Sequence, residues 1–297
     1  MKKKIYLYLC GGVGNQLFQY AFAKNLAIKN NAELILDITT GFVTDFRWRN
    51  KFLLEKFNIK SFTLRNVVFT FLFYRFYKIF FDKKIYNFFF RKIVIDETAA
   101  NQFKKKILNY SFDKDLFLLG FFQSEKYFKE NKDVILKEIT PSKPKNKIFI
   151  NIKNKMKNSN SVAIGCRFYE NLPEKIVNKM GGVASNVFYE SSIEKITQSI
   201  ANPVFFLFST HSSNVINIAN YIRRKKYKAH VITEDKGFSG SIDNLWLLSQ
   251  CKNHIISNSS FYWWGAYLSQ LYYKKQIIIC SKNFINKDSC VSSWKKN

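Results

Sequence analysis

Proline and glycine are scarce in this chain of 297 residues. With only 4 Pro and 11 Gly, the composition excludes collagen-like chains and chains dominated by linkers. Hydrophobic residues make up 47% of the chain and include 31 Phe and 16 Tyr, which is enough to bury one large core or two ordinary ones. The sequence therefore predicts a compact fold and excludes disorder of the whole chain.

Acidic residues are also few. The 21 Asp and Glu stand against 48 Lys and Arg, so the formal net charge is +27 and the isoelectric point is about 9.8. An excess of this size predicts an anionic partner. At this point nucleic acid, acidic lipid and phosphorylated substrates all qualify.

Paired cysteine motifs are absent. The five cysteines are odd in number and form no C-x-x-C pair, which favours neither a disulfide framework nor a zinc site. Cys10, Cys166 and Cys280 lie in apolar, strand-like runs, where a free thiol behaves as a small buried hydrophobe. We therefore expect free thiols and a reducing cytosol.

Long hydrophobic runs are missing as well. The basic residues 2–4 precede an apolar run at 5–10 that stops at Gly11 and Gly12, so we expect no export signal. The richest apolar stretch, 67–90, is interrupted by charged residues and is not expected to cross a bilayer. It either lies on an anionic membrane surface or forms an amphipathic helical insert packed on the core.

The first part of the chain has a strand, turn, helix and strand pattern. A strand-like run at 5–10 is followed by a glycine turn, a helical pattern at 15–30 and a second strand at 32–37. Such units build parallel sheets with ligands at the carboxyl ends of the strands. Residues 140–161 are rich in Lys, Asn and Ser with two prolines and are interpreted as a linker. We thus predict an N-terminal domain over 1–155, with the aromatic insert, and a C-terminal domain over 156–297.

The second part alternates strands and helices more regularly, which predicts a doubly wound α/β sheet. Ser212 and Ser259 are predicted to cap helices. The strand-like runs are 162–168, 204–209, 229–233, 254–257 and 276–280, and the helical patterns are 184–200, 212–225, 241–251 and 259–271.

The glycine turn at residues 11–16, GGVGNQ, resembles neither common phosphate motif closely. Leu17 stands where a dinucleotide fingerprint has its third glycine, and the lysine and hydroxyl that end a P-loop are missing. Two interpretations stay open: a tight packing turn, or a turn that brings Asn15 and Gln16 to a ligand at a helix N-terminus.

Two further segments suit an anionic ligand. Ser259 and Ser260 follow a strand and open a helix, a geometry that favours phosphate, although simple capping competes with it. Arg167 ends an apolar strand, where its planar fork of donors suits a diphosphate. Glu170 follows it and is either a catalytic base or the partner of a nearby lysine.

Histidines are too few and too scattered for a metal site. The three, at 211, 230 and 254, show no metal-ligand spacing, and no G-x-S-x-G sequence occurs. A metal-assisted mechanism and a serine nucleophile therefore have no visible support.

Three motifs in order carry a family resemblance. GGVGNQLFQYAFAKNLA at 11–27, LGFFQSEKYF at 119–128 and NSSFYWWGAYL at 258–268 resemble the signatures of the α-1,2-fucosyltransferases, glycosyltransferase family 11. The resemblance implies an α/β fold of the GT-B type, with two Rossmann-like domains and the active site in the cleft between them. It also implies a GDP-β-L-fucose donor, no metal, no other cofactor, and transfer with inversion to a sugar hydroxyl.

The resemblance also implies roles for single residues. Arg167 would neutralise the β-phosphate, Asn15 would act in the catalytic cleft, and Glu170 is the possible base. The remaining donor-side residues are Asp243, Asn244, Asn258, Ser259, Ser260 and Phe261, and the acceptor side comprises Gly12, Gly14, Asn15 and Gln16.

This chain departs from the family pattern near Arg167. The family's His-x-Arg-Arg-x-Asp reads GCRFYE here, so that Gly165 replaces the histidine, Phe168 the second arginine and Glu170 the acid. Asn244 stands where the family generally has aspartate. These positions bear on recognition of the guanine base, and Asp243 is a candidate substitute.

The sequence thus predicts a bacterial-type enzyme that adds L-fucose in α-1,2 linkage to a galactose-like acceptor during O-antigen or other surface glycan synthesis. We expect a cytoplasmic protein, peripheral at the inner face of the plasma membrane, with a lipid-linked acceptor, contact with anionic lipid and no nucleic acid partner. The same fold with another nucleotide sugar is the nearer alternative. A basic nucleic-acid-binding protein is the remote one.

Overall fold

The computed structural model describes residues 2–43, 45–46, 50–59, 63–65, 94–98, 102–170 and 172–297. The chain divides into two compact units. The first unit is Met1–Thr140 with Asn286–Ser289, and the second is Pro141–Ile285 with Cys290–Asn297. The predicted boundary at 155/156 lies later in the chain than the division after Thr140. The aromatic stretch 67–90 lies outside the described residues.

The first unit contains a parallel sheet of five strands in the order β3-β2-β1-β5-β4. Its formation confirms the predicted strand, turn, helix and strand unit. The strands are β1 Lys4–Tyr8, β2 Glu33–Asp37, β3 Thr63–Arg65, β4 Val94–Glu97 and β5 Leu116–Gly120. The helices are α1 Val13–Asn30, α2 Thr40–Val43, α3 Lys105–Leu108 and α4 Lys132–Ile139, with 3-10 turns at Leu54–Lys56, Glu125–Tyr127 and Lys129–Asn131.

Helix α1 is the central helix of the first unit and is buried on nearly all sides. Its apolar side chains Leu17, Phe18 and Phe22 are almost completely buried, as their helical spacing predicts. Asn31 ends the helix in the left-handed conformation, with φ of 47°, and its N–H bonds to the carbonyls of Ala27 and Ile28. The helix therefore holds the glycine turn at its start against the sheet.

The second unit contains a parallel sheet of six strands in the order β11-β10-β9-β6-β7-β8. The five predicted strands are all present, and the predicted doubly wound sheet is confirmed. The strands are β6 Asn160–Gly165, β7 Pro203–Phe208, β8 Lys228–Ile232, β9 Asn253–Ile256, β10 Ile278–Cys280 and β11 Lys295–Lys296. The helices are α5 Lys147–Lys157, α6 Glu174–Lys179, α7 Asn186–Ser199, α8 Ile216–Arg224, α9 Ser241–Ser249 and α10 Ser260–Ser269, with 3-10 turns at Ser212–Val215 and Glu234–Lys236.

The linker prediction for 140–161 is wrong over helix α5. Phe149 and Met156 are buried and stand seven residues apart, so they share one face of the helix. The abundant Lys and Asn around them hide this face in the composition. Asn146 caps the helix, with its side chain accepting a bond from the N–H of Ile148 at 3.0 Å.

The two predicted helix caps have different outcomes. Ser259 occupies the N-cap of α10, but its hydroxyl makes no capping bond. Ser212 is not a helix cap, because a 3-10 turn precedes α8 and the Ser212 hydroxyl donates instead to Asp235. The Ser259 hydroxyl is therefore left for another partner.

The expectation of free thiols is wrong for one pair of cysteines. Cys280, at the end of β10, and Cys290 form a disulfide, whereas Cys10, Cys166 and Cys251 keep reduced thiols. The pairing depends on how the chain returns after β10, which no spacing rule reveals. The cysteines therefore no longer support a reducing compartment as a group. No helix in the described ranges is long and apolar enough to cross a bilayer.

Candidate functional site

Each sheet has one point where the strand order reverses. In the first sheet this point lies between β1 and β5, and in the second between β6 and β9. Open parallel sheets bind ligands beyond the carboxyl ends of the strands at such points. In each unit, the segments after its two strands at this point are therefore the candidate functional segments.

In the first unit, the glycine turn brings Asn15 to this position. Gly11 has a φ of +76°, and a Cβ there would lie 2.7 Å from the Asn15 Nδ2, so glycine is required on both counts. From the loop after β5, the Gln123 Nε2 donates to the Asn15 Oδ1 at 2.9 Å. Asn15 is thus oriented by a partner from the neighbouring strand, and Gly12 beside it is exposed.

Gln16 does not face a ligand, contrary to its predicted place on the acceptor side. It is completely buried, and its Nε2 donates to the carbonyls of Gly11 and Lys51 at 2.8 Å. Its Oε1 accepts from the N–H of Leu53 at 3.0 Å. Gly14 is buried as well, so both residues shape the turn.

A buried carboxylate supports the loop that carries Gln123, and sequence reasoning missed it. Glu97, at the end of β4, accepts from the N–H of Phe122 at 2.9 Å and from the Tyr127 hydroxyl at 2.6 Å. Burial raises the pKa of Glu97. Its role depends on β4 lying beside β5, and no motif in the sequence indicates that pairing.

The segment 286–289 also holds this loop. The Ser289 hydroxyl donates to the Gln123 carbonyl at 2.7 Å, and the Ser124 hydroxyl donates to the Asp288 carbonyl at 2.8 Å. Lys126 pairs with the Asp288 carboxylate at 2.5 Å. The Gln-Ser-Glu motif at 123–125 is therefore fixed by residues from far along the chain.

In the second unit, Arg167 follows β6 as predicted. Its backbone N–H donates to the Ser257 hydroxyl at 3.0 Å, and that hydroxyl donates to the Gly165 carbonyl at 2.9 Å. These two bonds connect the ends of β6 and β9. The guanidinium carbon lies 4.8 Å from the centre of the Tyr169 ring. Within the described residues no acceptor pairs with the guanidinium, so its donors are available to an anion.

Tyr169 is a second residue that sequence reasoning missed. It has a φ of +56°, a left-handed conformation that is unusual for a bulky residue. Its buried hydroxyl donates to the Asn258 carbonyl at 3.0 Å, and the Asn258 Nδ2 donates to the Met180 carbonyl at 2.6 Å. Tyr169 and Asn258 therefore connect the loops around Arg167.

The N-terminus of α10 is open at the same edge. Trp263 and Trp264 are completely buried, which confirms them as the anchors of this helix. Ser259, Ser260 and Phe261 are partly exposed, and the Ser259 hydroxyl makes no cap. A helix start with unused hydroxyl and N–H donors favours a negatively charged group.

Position 165 has no room for a side chain that could contact a ligand. A Cβ there would lie 2.4 Å from the Tyr262 ring, and the Tyr262 hydroxyl donates to the carbonyls of Cys166 and Phe208, both at 3.1 Å. The position of the family's histidine is thus covered by an aromatic ring from α10.

The other predicted donor-side residues lie along the same edge. The Glu170 Oε1 accepts from the Asn214 Nδ2 at 2.6 Å, so its partner is an amide and not the lysine considered above.

Asp243 lies in the first turn of α9, which follows β8. The Asn244 Nδ2 donates to the Phe238 carbonyl at 3.0 Å, and its buried Oδ1 has no partner among the described residues.

Comparison with known proteins decides the family. The model of glycosyl transferase family 11 matches residues 4–296. The chain belongs to this family. It is 29% identical over 303 residues to an α-1,2-colitosyltransferase of Escherichia coli, covering 96% of each chain. It is also 25% identical over 312 residues to the O-antigen biosynthesis glycosyltransferase WbnK of Escherichia coli, covering 98% and 99%.

Solved structures support the fold. The fucosyltransferase NodZ from Bradyrhizobium superposes with a TM-score of 0.51 at 11% identity, covering 94% of this chain and 95% of its own. A variant of Arabidopsis thaliana FUT1 in complex with GDP gives 0.54 at 10% identity, covering 94% and 70%. The α/β fold of the GT-B type is therefore confirmed, and the family match shows that the chain is a glycosyltransferase.

Proposed function

We propose that this family 11 glycosyltransferase transfers L-fucose from GDP-β-L-fucose to a galactose-like hydroxyl in α-1,2 linkage, with inversion and without a metal. The similarity to an α-1,2-colitosyltransferase and to an O-antigen glycosyltransferase supports surface glycan synthesis. We further propose a lipid-linked acceptor, so that the enzyme works in the cytoplasm at the inner face of the plasma membrane.

The unpaired guanidinium of Arg167 carries the proposal. Arg167 follows β6 at the point between β6 and β9 where the strand order reverses. Its backbone N–H bonds to Ser257, which shortly precedes the open start of α10. When the bond between C1 of fucose and the β-phosphate oxygen breaks, the departing GDP gains negative charge. Donors already fixed in position stabilise that charge without reorganisation, and Arg167, Ser259 and Ser260 are such donors.

The acceptor side of the proposal uses Asn15 and Glu170. The acceptor hydroxyl oxygen attacks C1 from the face opposite the leaving diphosphate, which inverts that carbon. Its proton passes either to Glu170, whose Oε1 is held by Asn214, or to the leaving diphosphate. Asn15, which is oriented by Gln123, is proposed to bond the acceptor sugar.

Asp243 and Asn244 are proposed to bind the base. A carboxylate accepts bonds from the ring and amino N–H groups of guanine. The buried Asn244 Oδ1 is an acceptor that no donor among the described residues uses. Because Gly165 is covered by Tyr262, the base contact that the family's histidine suggests is transferred in this proposal to the start of α9.

A panel of nucleotide sugars tests the donor. The expected result is transfer from GDP-L-fucose to a β-galactoside, an α-1,2-linked product, and undiminished rate with a chelator present. A donor carrying colitose is the second candidate, favoured by the colitosyltransferase relative at 29% identity. A product from a uridine diphosphate sugar, with none from either of these donors, contradicts the proposal.

Tyr169 is expected to act through Arg167. Tyr169→Leu removes the ring beneath the guanidinium and should lower kcat/KM for the donor by about tenfold, whereas Tyr169→Phe keeps the ring and most of the rate. In an Arg167→Ala background the leucine change should have little further effect, because the pair acts together. Equal losses in both backgrounds would indicate a purely structural role.

A further inference from the structure

The edge of the second sheet opposite the candidate site is rich in lysine and arginine. Because all six strands are parallel, the residues that lead into them lie at one edge. Basic residues occur before or at the start of β6, β8, β9 and β10. We call the following set the basic edge: Lys155, Lys157, Arg223, Arg224, Lys225, Lys226, Lys228, Lys252, Lys274 and Lys275.

Electrostatic effects on one histidine indicate that separate parts of this set lie near each other. Burial lowers the pKa of His230 first, and the positive charges of Lys155, Lys228 and Arg223 lower it further. Lys155 comes from α5, Arg223 from α8 and Lys228 from β8. Two clusters more than sixty residues apart in the sequence thus lie near enough to act on the same side chain, and Lys155, Arg223 and Lys228 are all exposed.

Acidic residues of the second unit concentrate at the opposite edge. Glu170, Glu234 and Asp235 follow the carboxyl ends of β6 and β8, and Asp243 begins α9. At the basic edge Glu194 pairs with Lys225 at 3.3 Å, and these side chains are half exposed. One such pair leaves the other cations of the edge with their charge.

The basic edge also exposes apolar surface. Leu271 and Tyr272 are 47% and 46% exposed, and only Tyr273 separates them from Lys274 and Lys275 in the connection from α10 to β10. Aliphatic and amphipathic aromatic side chains next to lysines suit the boundary between lipid headgroups and acyl chains. Tyr272 is a single ring for base stacking, whereas Leu271 suits only an apolar phase, so lipid is favoured over nucleic acid.

We propose that the basic edge rests on an anionic lipid bilayer. This inference builds on the proposed function, in which the acceptor is lipid-linked. The strands of the sheet are up to six residues long, so its carboxyl edge stands about 20 Å from its amino edge. Arg167 would then lie well above the headgroups, where a sugar near the outer end of a lipid-linked glycan is within reach.

Vesicle sedimentation of the full chain tests the proposal. Phosphatidylcholine vesicles with phosphatidylglycerol should bind the protein, and vesicles of phosphatidylcholine alone should not. Combining Lys155→Gln, Arg223→Gln and Lys228→Gln should weaken binding by about 100-fold, since each cation near an acidic surface contributes roughly a factor of five. Leu271→Ser with Tyr272→Ser should reduce the binding that remains at high salt.

A control set in the first unit removes the same charge elsewhere. Lys105→Gln, Lys106→Gln and Lys137→Gln change exposed residues and should leave vesicle binding nearly unchanged. Equal weakening by both sets, no preference for anionic vesicles, or displacement of the vesicles by duplex RNA at physiological salt would overturn the proposal. Transfer to a water-soluble galactoside should be unchanged in both sets, so a failure of the proposed chemistry is seen separately.

Discussion

An Arg167→Ala variant is expected to lose at least about 100-fold in kcat/KM for transfer, with most of the loss in kcat. The guanidinium stacks on the Tyr169 ring, and the backbone N–H of Arg167 donates to the Ser257 hydroxyl. No acceptor within the described residues uses the guanidinium donors. The interactions of the guanidinium with the leaving diphosphate are therefore made most strongly as charge develops. Steady-state kinetics with GDP-L-fucose measure the loss.

The same variant should remain folded. Removing the side chain leaves no described acceptor without its donor, so the melting temperature should change little. Arg167→Lys keeps the charge but loses the planar fork, and an intermediate rate is expected. Arg224→Ala, which removes an exposed arginine at the end of α8, is the matched control. Near-normal turnover by Arg167→Ala would place the phosphate elsewhere.

Periodicity alone predicts most of the fold of the second unit. The buried strands β6 and β7 contain continuous apolar runs, as strands covered on both faces do, and the helices between the strands repeat with the helical period. Helix α5 and strand β11 are missed for different reasons. In α5 the buried face consists of few residues among many lysines, whereas β11 is two exposed lysines that only pairing with β10 makes a strand.

The candidate site is predicted where it depends on position in the chain and missed where it depends on side-chain direction. Arg167 and Ser259 follow strands, so a parallel sheet brings them to one edge. Gln16 is adjacent to Asn15, yet it points into the core, because the loop at 51–53 needs its amide. The left-handed conformation of Tyr169 leaves no pattern in the sequence.

Gly165→Ala is expected to lower the free energy of unfolding of the second unit by about 3 kcal/mol. The added methyl would lie 2.4 Å from the Tyr262 ring. That ring is buried and its hydroxyl is bonded to the carbonyls at the ends of β6 and β7, so it cannot move without breaking both bonds. Urea denaturation followed by circular dichroism measures the change.

Two further variants separate the overlap with Tyr262 from a general cost of alanine. In Gly12→Ala the new methyl has its nearest neighbour at 3.6 Å, and the loss in free energy of unfolding should stay under about 1 kcal/mol.

In the double variant Gly165→Ala with Tyr262→Ala, the ring that causes the overlap is gone. The combined loss should then be smaller than the sum of the two single losses. Additive losses would mean that Tyr262 does not confine Gly165. The family's histidine would then be compatible with this position, and the assignment of base binding to Asp243 and Asn244 would lose its structural reason.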